Sequence, residues 1–124
     1  MDPSNIKIDI DFEPKELKAY SRNEGILKLS IKNNANSLYW CECAIITKSP
    51  LSLSPDGAVS KGIARIGILK PEETKEKKIK FYTIPNNFPE IYDVKAIFFV
   101  YGEDGTIESR IEKVEAIKCI GDSK

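Results

Sequence analysis

The chain has 124 residues, with 19 Lys and Arg balancing 19 Asp and Glu, and no His. That length suits one domain, 1–124, able to bury a core without disulfide or metal staples. The missing imidazole excludes Ser-His-Asp and Cys-His nucleophile systems and any zinc site that needs a His ligand. The charge is also balanced locally, with eight acids and eight bases in residues 1–62 and eleven of each in 63–124, so no basic face for nucleic acid is visible.

Ile6, Ile8, Ile10 and Phe12 alternate with Lys7, Asp9 and Asp11, the period of a half-buried strand that Pro14 ends. Leu17 and Ala19 continue an extended edge piece to Tyr20, and residues 21–25 read as a turn. Leu27, Leu29 and Ile31 alternate with Lys28, Ser30 and Lys32 in a second strand, which the Asn-rich segment 33–37 closes.

Leu38–Lys48 reads as a third strand. Glu42 marks the outer face, shared with Trp40, Ala44 and Ile46, so Tyr39, Cys41, Cys43 and Ile45 point inward. A loop from Ser49 to Ser60 carries Pro50, Pro55 and Asp56-Gly57. Gly62–Leu69 follows, with Ala64, Ile66 and Ile68 opposite Arg65 and Gly67. After the turn at Lys70–Glu73, Thr74–Thr83 forms a fifth strand with Ile79 and Phe81 inward, and Pro85–Pro89 is a second Pro- and Asn-rich loop.

Ile91–Tyr101 carries the clearest strand pattern. Lys95 sets its phase: Tyr92, Val94, Ala96, Phe98 and Val100 face the core, while Ile97, Phe99 and Tyr101 give the outer face an unusually apolar row. Gly102–Gly105 is a hairpin turn of the Asp-Gly type, and Thr106–Ile120 returns, its alternation slipping near Lys113-Val114 as at a bulge. Strands recur every dozen residues or so and no segment shows helical periodicity. The expected fold is all-β: a two-sheet antiparallel sandwich of seven to eight strands, with Val94, Ala96, Phe98, Ile8, Ile10, Leu29 and Ile31 buried.

Several residue groups resemble the CARDB-type immunoglobulin-like sandwiches of archaea and bacteria. Phe12-Glu13-Pro14 matches the end of that family's first strand, and residues 25–33 its second, with Asn33 at the exit. Ile68–Thr74 is similar to its Leu-x-Pro-Gly-Glu loop, with Glu72 in place of Gly, and Ile91-Tyr92-Asp93-Val94 to its Gly-x-Tyr-x-Val start of the sixth strand without the Gly. The resemblance implies an immunoglobulin-like, Greek-key arrangement of the sandwich, a binding or spacing role, and no catalytic residue.

Tyr92 is placed as a tyrosine corner would be. Cys41-Glu42-Cys43 reads as a soft-metal or redox pair, or as two small buried hydrophobes; free, unmetallated thiols are expected for these and Cys119. The five Lys and three Glu of Lys70–Lys80 read as a solvated edge strand kept from mispairing by charge. Glu103-Asp104-Gly105 has too few ligands for calcium and suits a hairpin. No catalytic, cofactor or metal residue is assigned.

The interface candidates are Ile97, Phe99 and Tyr101, joined by Trp40 and Ile46. Either the 49–60 loop covers this face, or a partner does: a protein, or a second copy of the chain. Trp40 reads equally as the sandwich's core Trp or, from its phase with Glu42, as a surface aromatic suited to a carbohydrate or protein ligand. No secretory or membrane segment is evident, no Asn-x-Ser/Thr sequon occurs, and the odd cysteine count suits a reducing setting, so a cytoplasmic location is expected. The bias to Ile, Lys and Glu resembles thermophile usage.

Overall fold

The computed structural model describes residues 5–85 and 88–121. Asn86 and Asn87 of the expected Pro85–Pro89 loop, and the ends of the expected 1–124 domain, lie outside them. Nine strands appear among the described residues: β1 (Ile6–Glu13), β2 (Glu16–Lys18), β3 (Asn23–Asn33), β4 (Tyr39–Ile46), β5 (Leu51–Ser52), β6 (Lys61–Leu69), β7 (Thr74–Thr83), β8 (Ile91–Tyr101) and β9 (Ile107–Ile120). Seven have eight residues or more, and β2 and β5 are the short additions to the expected count.

They form two sheets, β1-β3-β7-β5 and β2-β9-β8-β4-β6. Each connection along the chain crosses from one sheet to the other except the last, the β8–β9 hairpin. The result is an immunoglobulin-like β-sandwich. All strand pairs are antiparallel but one: β2 runs parallel to β9, pairing Leu17 with Cys119.

The core follows the alternation. Leu27, Leu29 and Ile31 of β3 and Phe81 of β7 meet Cys41, Cys43 and Ile45 of β4 and Val94, Ala96, Phe98 and Val100 of β8 between the sheets. Lys95 is exposed, which confirms the phase of β8. Ile8 and Ile10 are only half-buried, contrary to expectation, because β1 lies at the margin of its sheet and its middle is incompletely covered.

Tyr92 closes a tyrosine corner. Its hydroxyl donates to the Phe88 carbonyl oxygen at 2.7 Å and accepts from the Phe88 amide at 2.9 Å. This fixes the approach of the chain to β8 from the loop before it.

Three local expectations change, and one open alternative is decided. Gly25 lies within β3, not in a turn, and its missing side chain leaves room for Phe81. Ile68 faces outward: β6 bulges opposite Cys41/Glu42, where Gly67 adopts φ +95° and inverts the alternation, so Leu69 rather than Ile68 turns inward. The β8–β9 register runs unbroken through Lys113 and Val114, and its shift falls instead at Val100/Tyr101, which face Ser109 and Ile107 with Glu108 bulged between them. The 49–60 segment supplies β5, which pairs with β7 in the opposite sheet, so it does not cover the outer face of β8.

Candidate functional site

The outer face of the five-stranded sheet is where the sequence-derived candidates converge. Strand register places Trp40 beside Tyr101, Glu42 beside Phe99, Ala44 beside Ile97 and Ile46 beside Lys95. All five interface candidates therefore share one surface. Trp40 packs against Tyr101 with ring centroids 5.1 Å apart at 50°, and the Tyr101 hydroxyl donates to Glu42 Oε1 at 3.0 Å. That hydrogen bond to a carboxylate, followed by partial desolvation, raises the Tyr101 pKa above the usual phenol value.

The same face is wider than the sequence suggested. β6 adds Ile63 beside Ala44 and Ile68 beside Trp40. β9 adds Ile107 beside Tyr101 and Val114 beside Lys95. Two apolar rows result, Ile68–Trp40–Tyr101–Ile107 and Ile63–Ala44–Ile97. Exposure is 67% at Ile63, 48% at Ile68, 59% at Ile107 and 53% at Val114, whereas Ala44 and Ile97 between them are buried. Charge is confined to particular positions. Lys95 and Glu112 are paired at 2.8 Å with Arg110 at 3.7 Å, and the ion pair holds the Glu112 carboxyl below its ordinary pKa.

The Cys41-Glu42-Cys43 motif divides between the two faces. Glu42 is on the surface just described, while both thiols are buried between the sheets. Burial pushes both up to about 12, the neighbouring Glu42 charge adding to Cys41 and the neighbouring thiol to Cys43. Neutral, desolvated thiols are poor nucleophiles and poor metal ligands. Cys119 is a third buried cysteine outside any disulfide. Among the described residues no three His, Cys, Asp or Glu side chains converge as metal ligands.

At the β8–β9 turn, a cleft of about 430 Å³ is lined by Tyr39, Glu103, Asp104 and Glu108 with Ser37, Leu38 and Gly102. Asp104 Oδ1 accepts from the Thr106 amide at 3.1 Å and hydroxyl at 2.7 Å, and these bonds lower its pKa. Its oxygen is thus committed to holding the turn.

No protein-family model matches the chain, and no curated protein matches it. Solved structures share its fold. A chain from the complex formed between zinc 2-glycoprotein and prolactin inducible protein, from human seminal plasma, superposes with a TM-score of 0.61 at 20% identity, covering 94% of this chain and 93% of that one. The FixG-related protein of Vibrio parahaemolyticus gives 0.56 at 12% identity over 96% and 98% of the two chains. The chain also resembles the CARDB domain of the PF1109 protein of Pyrococcus furiosus at the level of fold, with a TM-score of 0.48, 11% identity, and 94% and 96% coverage.

Proposed function

We propose that this protein is a non-catalytic interaction module that docks a protein surface, most simply a second copy of itself, on the outer face of its five-stranded sheet. One observation carries the reading: four exposed aliphatic residues from β6 and β9 flank the Trp40–Tyr101 pair and Phe99 on one contiguous face, and no other segment of the described chain crosses it. Apolar residues concentrated on one face, here two rows with the mixed row Arg65–Glu42–Phe99–Arg110 between them, mark interaction sites. Covering a side chain of Ile or Phe size contributes about 1.5–3 kcal/mol before association costs, so several together support a specific contact.

Two further points support the reading. One structure of similar fold comes from a complex between two proteins. The buried, protonated thiols of Cys41 and Cys43 favour a structural over a catalytic role, and suit the reducing environment of a cytoplasm.

Sedimentation of the purified chain over a range of concentrations tests the proposal. Wild type should associate, and Phe99→Asp should remain monomeric with unchanged circular dichroism. A wild-type protein that stays monomeric throughout and retains nothing from native extract overturns it.

A further inference from the structure

A second surface, on the flank of the sandwich, has different chemistry. In the four-stranded sheet the position beside β7 is only partly filled. Leu51 and Ser52 of β5 pair with Thr83 and Tyr82, and the chain then turns away. Among the described residues no strand pairs with Thr74–Phe81 on that side, and β6 is likewise the unpaired margin of the other sheet. Two free strand edges thus face each other across the flank.

A cleft of about 270 Å³ lies between them. Its apolar lining comes from Ile45, Leu53, Ala64 and Ile79, with Gly62 beneath Leu53. Its cations are Arg65, Lys77 and Lys78. No ion pair engages these three among the described residues, and no acidic side chain lines the cleft. Towards the β6–β7 turn the Lys75 amine closes the gap, within 3.6 Å of where a β-carbon on Gly67 would stand.

We propose that this cleft binds an extended segment of another protein, of alternating acidic and apolar residues, which adds as a strand beside β7 in line with β5. An added strand satisfies the free backbone groups of β7, and every second side chain enters the apolar cleft. A small amphiphilic anion fills the cleft but leaves that backbone unpaired. The side chains that enter the cleft pass Lys77, which shares the inward face of β7 with Ile79, and the remaining ones lie on the face that carries Lys78. The same Lys residues repel cationic edges, so the charge that protects β7 from indiscriminate pairing also selects an acidic partner.

The probe is an end-blocked, fluorescently labelled peptide of three Glu-Val repeats, with a Lys-Val peptide as control, followed by anisotropy and amide NMR on the whole chain. The expected result is saturable Glu-Val binding. Shifts should be confined to Ile45, Leu53 and residues 62–65 and 77–81, exchange of β7 amides should slow, and binding should weaken at least tenfold in Lys77→Glu/Lys78→Glu. That variant changes only exposed side chains, and its amide spectrum verifies its fold. No binding, equal binding of the Lys-Val peptide, or shifts centred on Phe99 overturn the proposal. Displacement by dodecanoate, with no amide exchange slowed by the peptide, also overturns it in favour of a small amphiphile.

Discussion

Asn33 Nδ2 donates to the main-chain oxygen of Leu69 at 3.1 Å, joining the end of β3 in one sheet to the end of β6 in the other. The same amide nitrogen donates to Ser37 O at 2.8 Å, and Asn33 Oδ1 accepts from the Ala35 amide at 2.9 Å. Asn33 is fully buried, so each of these groups would lose its partner where water cannot replace it. Asn33→Ala should therefore cost about 2–4 kcal/mol. Urea unfolding followed by the single Trp would show this as a lower midpoint.

Tyr92→Phe removes both hydrogen bonds of the tyrosine corner and keeps the ring. The loss should be about 1 kcal/mol, with the denaturant slope unchanged. An unchanged midpoint would show that the corner contributes no net stability.

Gly25→Ala should destabilise despite lying in a strand. A β-carbon there would stand 2.4 Å from Phe81 Cζ and 2.6 Å from Cε1. The Phe81 ring is buried and held edge-on against Phe12, with centroids 5.8 Å apart, so it has little freedom to withdraw. The expected cost is about 1–3 kcal/mol. Phe81→Leu in the same chain should recover part of it, and a double-mutant cycle measures that coupling.

Stability should fall in alkali. Cys41 and Cys43 hold their protons to about 12 when folded, against 9.0 for an ordinary thiol. Above pH 9 the unfolded chain releases protons that the folded chain retains, so each unit of pH towards 12 removes up to about 1.4 kcal/mol per thiol. Cys41→Ala/Cys43→Ala should flatten this part of the pH profile while lowering stability at pH 7, as measured by chemical denaturation at each pH.

The sandwich was legible because β1, β3 and β8 each combine period-two alternation with a charge that fixes the buried face, Lys95 above all. Trp40, Ile46, Ile97, Phe99 and Tyr101 were assigned to one face on that basis. Ile63, Ile68, Ile107 and Val114 were missed because their placement depends on which residue faces which across strands. One bulge at Gly67 inverts β6 after Arg65, and one at Glu108 offsets the start of β9. Gly67, placed inside an alternating run, was the available signal for the first. The two-residue β5 has too short a pattern to register, and its pairing with β7 rather than β4 is set by tertiary packing. Asn33 looked like a loop residue because its type favours turns, and its bond to Leu69 depends on two sheets coming together.

The parallel pairing of β2 with β9 carries a kinetic consequence. It joins Leu17 to Cys119 across nearly the whole length of the chain, through three residue pairs. Closing so long a loop for so few contacts places this step late in assembly, and makes it an early one to reverse. Leu17 and Cys119 are both buried together there. In a native-state alkylation time course Cys119 should therefore react ahead of Cys41 and Cys43, reporting detachment of one short strand while the sandwich behind it stays closed.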